Sequence, residues 1–164
     1  MGGSGAIIAR MDDANNYRGW DVFLAGGHVE FHMIHQWPAN AIHAKSTKPV
    51  PDKQWVHLFV TYDGSSKASG FRLYMNGAVQ DVNVTQDGLS GTIQTDKPLH
   101  IGRRNPSGFF SGQIDDVRVY SSALSPAAVA TLAGSNPIAA ILKVPAEVRT
   151  AAQSQAVKQY YLDN

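Results

Sequence analysis

The stretch Gly112-Gln-Ile-Asp-Asp-Val-Arg-Val-Tyr120 constrains this chain more than any other. Apolar and polar residues alternate along it. Val117 and Val119 fall on one side and Asp116 and Arg118 on the other, the period-two pattern of a half-buried strand. Such a strand needs partners, and the upstream chain offers them. Ala6–Met11, Tyr17–Leu24 and His28–His35 read as strands, separated by an Asp/Asn turn at 12–16 and a glycine turn at 25–27. Ala41–Lys45 reads as a short further strand. Trp55–Tyr62 is apolar on both faces, which predicts a central strand of a sandwich with Trp55 in the core. Phe71–Met75 and Ala78–Thr85 flank Asn76-Gly77, a strong hairpin signal because a type I′ turn needs positive φ at both positions. Pro98–Gly102 is the last strand before 112–120.

The character then changes to helix. Ser125-Pro126 places a capping hydroxyl before a proline at the first helical position, and Gly134 closes that helix. Asn136-Pro137 repeats the device for a short helix to about Leu142. Thr150-Ala-Ala-Gln153 is a capping box opening a third helix, with Ala152, Ala156, Val157, Tyr160 and Tyr161 on one side. The expectation is an all-β body followed by a short helical C-terminal tail. By segment, 1–5 is a linker or truncated start, 6–133 the β domain and 134–164 the tail leading to a following domain.

Composition removes several functional classes. The chain has 164 residues, 43% hydrophobic and 16% charged, enough for one folded domain. Net charge is +1 with no basic run, so no nucleic-acid partner is expected. Cysteine is absent, which excludes disulfides, thiolate metal sites and cysteine nucleophiles. No apolar run approaches the ~20 residues that membrane insertion requires.

Several segments carry a family likeness. Trp55-Val-His-Leu-Phe-Val-Thr-Tyr-Asp63, Phe71-Arg-Leu-Tyr-Met-Asn-Gly77, Leu99-His-Ile-Gly102, Gly112–Tyr120 and Ala123-Leu-Ser125 resemble the laminin G-like jelly roll, the concanavalin A-like lectin/glucanase fold, over roughly residues 50–133. Ala9-Arg-Met-Asp-Asp13, Gly19-Trp-Asp-Val-Phe-Leu24, Ile101-Gly-Arg-Arg104 and the exit through Asn136-Pro-Ile to Tyr160-Tyr161-Leu162 resemble jelly rolls inserted in planctomycete-type multidomain proteins with a c-type haem domain. The resemblance implies an antiparallel jelly-roll sandwich in a larger extracytoplasmic protein, periplasmic or at the cell surface, with neighbouring domains as partners and glycan contact as the presumed role. It also implies strands before Gly5, so the sandwich is expected to be N-terminally truncated, with strand edges or core faces left uncovered.

Candidate site residues fall into four groups. Asp115 and Asp116 are adjacent, so on a strand they point to opposite faces and cannot act as an acid–base pair. The resemblance admits a calcium ligand there; the other reading is a hydrogen-bonded and a solvated aspartate. Asp12 and Asp13, with Asn15 and Asn16, are oxygen-rich but miss calcium-loop spacing, because Tyr17 stands where a third ligand belongs; a loose calcium site competes with a plain Asx turn. Calcium is the one cofactor considered at these positions. His28, Glu30 and His32 share one strand face at zinc-like spacing, against the commoner reading of a solvated face. Finally, Arg103, Arg104, Asn105, Phe109 and Phe110 form a loop in which aromatic rings could stack on sugar and arginine could pair with sulfate or carboxylate, with Trp37 and Trp20 as further stacking candidates. The alternative places Trp37 and Phe110 in the core and pairs the arginines with Asp115 or Asp116.

No catalytic constellation emerges. A glycosidase needs two carboxylates about 5–10 Å apart, and the glutamates are Glu30 on an early strand and Glu147 in the tail. The chain is expected not to be an enzyme. A lectin-like module that binds carbohydrate is the expected function, with a structural or protein-interaction spacer without a glycan ligand as the alternative.

Overall fold

A computed structural model describes residues 4–134 and 141–163. It is a two-sheet antiparallel sandwich followed by helices, the all-β class expected. Strands β1 (Gly5–Asp12), β2 (Arg18–Ala25), β3 (His28–Gln36) and β4 (Asn40–Ser46) form a meander. Together with β8 (Val82–Asp87) and β9 (His100–Ile101) they make a six-stranded sheet in the order β8-β4-β3-β2-β1-β9. Strands β5 (Leu58–Tyr62), β6 (Phe71–Met75) and β7 (Ala78–Gln80) make the second, three-stranded sheet. Helices α1 (Pro126–Gly134) and α2 (Ala151–Asp163) follow. The helix expected from Asn136 to Leu142 lies largely outside the described residues.

The alternation in the meander decides which face is dry. Val22, Leu24, Val29, Phe31, Ile42 and Ala44 point inward and meet Phe71, Leu73 and Met75 of the second sheet. Phe31 stacks on Phe71 with ring centroids 4.3 Å apart, tying the layers together. The hairpin signal at Asn76-Gly77 is realised, with φ of 50° and 81°. Asn76 also ties its turn to the start of β5, its side-chain oxygen accepting from the His57 amide at 3.0 Å.

Four expectations are corrected. The segment 112–120 forms no ladder with any described strand and is largely exposed; Val119 keeps 66% of its surface. Local bonds supply the reason. Asp115 accepts from the Asp116 amide at 2.8 Å, Arg118 clamps both oxygens of Asp116 at 2.7 and 3.0 Å, and Asp116 turns to φ 51°. Short side chains that bond their own backbone compete with ladder formation, and positive φ interrupts an extended run. Second, β5 is an edge strand, not a central one. Third, it begins only at Leu58, so Trp55 is 57% exposed beside Ile114 and Tyr160 rather than in the core. Fourth, Ala78–Thr85 is not one strand: the chain leaves the small sheet after Gln80 and enters the large one at Val82. The caps expected at Ser125 and Thr150 are formed, while Asn136-Pro137 lies outside the described residues. The Ser125 hydroxyl accepts from the Ala128 amide at 3.2 Å, and Thr150 and Gln153 bond reciprocally at 2.9 and 3.2 Å.

His57 gives this end of the sandwich a pH dependence. Burial holds its pKa below the ordinary 6.5, against the opposing pull of Asp116, with Arg118 adding to the lowering. Its Nδ1 is buried without a hydrogen-bond partner. A histidine whose folded pKa is depressed contributes stability in full above its unfolded value. That contribution is lost as pH falls from 6.5 towards the lower folded value. Urea midpoints taken between about pH 7.5 and about pH 5 should therefore decline less in His57→Gln than in the parent. Equal declines would show that Asp116 and not burial governs this group.

Candidate functional site

The second face of the large sheet, turned away from the core, carries the chemistry. Pairing across the meander sets Ala9 opposite Asp21, Asp21 opposite His32, His32 opposite His43 and His43 opposite Gln86. One transverse row thus crosses β1, β2, β3, β4 and β8, and in its middle stand a carboxylate and two imidazoles. Cross-strand neighbours on one face lie within side-chain reach, so these groups must interact.

Asp21 has no exposed surface. His32 donates from Nδ1 to one of its oxygens at 2.7 Å, and Arg104 donates from Nε to the other at 2.5 Å. A buried carboxylate is tolerable only when paired and hydrogen-bonded, and both requirements are met here. Arg104 reaches this position because the loop after β9 folds along the edge of β1. The Gly102 amide donates to the Ile7 carbonyl at 2.9 Å and the Ala6 amide to the Gly108 carbonyl at 2.8 Å. The guanidinium carbon sits 4.5 Å from the centroid of the Phe23 ring and 5.7 Å from that of Tyr17, adding cation–π attraction.

The imidazoles of His32 and His43 are parallel, 4° apart in plane and 4.4 Å between centroids. Trp37 sets its indole edge-on to both, at 5.5 and 5.6 Å. It also covers a small apolar patch of Met11, Ile34 and Ala41 on the same face. Glu30, next on this face of β3, is held through Oε1 by Lys45 at 3.0 Å. Its Oε2 lies 3.5 Å from His43 Nε2 and 3.9 Å from His32 Nε2. Desolvation, aided by the neighbouring His32, lowers the pKa of His43 below its ordinary value, with Glu30 pulling the other way.

The expected site residues divide accordingly. Trp37 and Arg104 come together on this face, joined through His32 and Asp21. Arg103 turns instead to His100, 3.3 Å from its Nε2. Phe109 is 66% exposed, whereas Phe110 packs against the main core, the alternative weighed for it. Asn105 stands in the same loop, before a cis proline. Trp20, alternating with Asp21, belongs to the opposite face and is half-buried. The arginine partners are Asp21 for Arg104 and Asp116 for Arg118. Asp12 faces Lys97 at 3.9 Å, and Asp13 accepts from the Ser107 hydroxyl. Asp115 and Asp116 lie on the separate 112–120 segment. Among the described residues, the one group of three histidine and carboxylate ligand atoms within 4.8 Å of one another belongs to Glu30, His32 and His43. The face expected to be solvated is thus largely enclosed, and His28 is not part of the group, since its Nδ1 bonds the Ser46 carbonyl at 2.9 Å. Sequence reasoning missed Asp21 and His43. The available signal was a charged or polar residue at the same alternation phase in three successive strands.

A laminin G-type family model, described as the concanavalin A-like lectin/glucanases superfamily, matches residues 2–130. No curated protein matches the chain. Among solved structures, the 2.1 Å crystal structure of an S-layer domain-containing protein from Clostridium thermocellum ATCC 27405 is similar at 24% identity, with a TM-score of 0.40, over 81% of this chain. The match spans 64% of that structure, less than two thirds of its length. The two antiparallel sheets and the extent of the family match agree: the chain belongs to the concanavalin A-like lectin/glucanases superfamily.

Proposed function

We propose that this domain is a non-catalytic, lectin-like module that contacts carbohydrate on the outer face of its large sheet, as part of a larger extracytoplasmic protein. One observation carries the reading. Trp37 and Arg104, far apart in sequence, meet on one face through the buried Asp21–His32 pair, beside Tyr17 and the loop that bears Phe109. An indole, a phenol and a guanidinium held on a rigid sheet suit a ligand with apolar ring faces and polar edges. The non-catalytic reading is supported by how the carboxylates are used. Both oxygens of Asp21 are engaged by His32 and Arg104, which leaves Glu30, held by Lys45 on one oxygen, without a second free carboxylate beside it in this row. Membership of the superfamily supports the carbohydrate class by analogy of fold. Among the described residues no helix is long and apolar enough to cross a membrane.

The test is a glycan array probed with the folded chain, in calcium and again with chelator. Binding to a restricted set of glycans is expected, with Trp37→Ala weakening it about tenfold, equivalent to about 1.4 kcal/mol. Loss in chelator would bring Asp12, Asp13, Asp115 and Asp116 forward as the next variants. Failure of well-folded protein to bind any glycan would sink the reading and leave a spacer, for which the exposed Val117, Val119, Tyr161 and Leu162 offer apolar surface to a neighbouring domain.

A further inference from the structure

We infer that Glu30, His32 and His43 form a binding site for a single divalent transition-metal ion, Zn2+ being the best match. The inference is independent of the carbohydrate reading and follows from where the protons must be.

Thr85 donates its only hydroxyl proton to Gln86 Oε1 at 2.6 Å, so at the 2.6 Å contact with His43 Nδ1 the hydroxyl oxygen can only accept. His43 therefore carries its proton on Nδ1, and in the neutral ring Nε2 is a bare lone pair. This Nε2 is buried without a hydrogen bond of good geometry, the nearest acceptor being Glu30 Oε2 at 3.5 Å. The same logic applies to His32. Its Nδ1 donates to the Asp21 carboxylate at 2.7 Å, so in the neutral ring Nε2 is the lone pair. Both lone pairs approach one carboxylate oxygen, Glu30 Oε2, at 3.5 and 3.9 Å. With both rings neutral, two nitrogen lone pairs and one carboxylate oxygen thus crowd a shielded gap within 4.8 Å of one another, an arrangement that a proton or a metal cation relieves.

The surroundings match what a metal needs. Each imidazole is oriented by a partner on its far nitrogen, Asp21 for His32 and Thr85 for His43, as ligating histidines generally are. Glu30 is steadied by Lys45 on the oxygen that the metal would not use. Trp37 shields both rings on one side. Two imidazoles and one carboxylate, with water completing four, are a recognised zinc donor set. The two nitrogens lie 3.5 and 3.9 Å from Glu30 Oε2, and all three donors lie within 4.8 Å of one another, against roughly 3.3 Å between ligands in a tetrahedral zinc site; the parallel rings must tilt toward each other for both nitrogens to reach one ion. Cysteine is absent, so the softer thiolate chemistries do not compete.

The probe is Zn2+ alone, added to metal-free full chain, with bound metal measured by elemental analysis after gel filtration and affinity by calorimetry at neutral pH. One equivalent is expected. Glu30→Gln, which keeps the side-chain shape, and His43→Ala should each weaken binding at least about tenfold. Thr85→Val, which removes a positioning residue but no ligand, should weaken it by about tenfold with stoichiometry kept. His28→Ala should change nothing, and circular dichroism confirms the fold of each variant. Replacing Zn2+ with Co2+ should produce the intense visible absorption of a four-coordinate site, diminished in Glu30→Gln. No stoichiometric binding by the folded chain, or binding that survives both Glu30→Gln and His43→Ala, overturns the assignment.

Discussion

Asp21→Ala should lower the stability of the domain by about 3–5 kcal/mol, the cost of leaving one half of a buried ion pair without its partner. Three losses coincide. Arg104, only 16% exposed in its side chain, would keep its charge with nothing opposite it. The His32 Nδ1–H would lose its acceptor. The loop after β9 would lose the tether that draws it over β1 and β2. For a domain of this length each kcal/mol moves the midpoint by roughly 2–4 °C, so thermal melts should shift down by about 6–20 °C. Asp21→Ala combined with Arg104→Met should cost clearly less than the two single changes added together, because the second removes the orphaned charge. A single-variant loss under about 1 kcal/mol would show that water replaces the carboxylate, and that the face is wetter than its burial indicates.

Gly19→Ala should be as damaging by a steric route. Gly19 has φ 135°, a region that residues with a Cβ avoid. An added Cβ would stand 2.1 Å from the Arg10 carbonyl oxygen and 2.7 Å from the Met11 Cα. Both are backbone atoms of the paired strand, so no side-chain rotation relieves the clash. The conformation alone costs about 1–3 kcal/mol, and the overlap can be removed only by parting β1 from β2. Expression in inclusion bodies or a collapsed urea midpoint is expected. Gly26→Ala is the matched control. Its φ is 59°, but a Cβ there meets nothing within 4 Å, so only the conformational cost of about 1 kcal/mol applies. Comparable losses in the two variants would mean that backbone preference rather than crowding dominates at Gly19.

The meander was legible because its signals are local. Alternating strands between Asn/Asp and Gly turns specify β1 to β4, and Asn76-Gly77 specifies its own hairpin. What sequence reading lost depends on competition or on distance. Alternation in 112–120 is real, yet Asp116 finds better partners in its own backbone neighbourhood and in Arg118 than in a ladder. The crossing at Asp81 leaves no mark on the alternation, since both short strands are locally consistent with one long one. The histidine site shows the second limit. The trio His28, Glu30 and His32 is visible along one strand, but His43 enters through pairing with β4, whose ladders carry irregularities on both sides. One slipped residue would bring Ile42 or Ala44 to this face instead. Arg104 and Asp21 are 83 positions apart, and nothing in either neighbourhood announces the other.

That separation has a kinetic meaning. Closing a loop of this length costs conformational entropy before any contact repays it, so sandwiches rich in remote pairings fold slowly, in milliseconds to seconds. The four strands of the meander can zip from turn to turn while Asp21 still faces water. The Asp21–Arg104 contact is expected to close after the rate-limiting barrier, as the loop beyond β9 settles. Arg104→Met should then quicken unfolding and leave the refolding rate nearly untouched in a stopped-flow chevron. A slowed refolding limb would instead place Arg104 in the folding nucleus. On the expected outcome, the arginine acts as a latch: it plays little part in finding the native arrangement and sets how long that arrangement lasts.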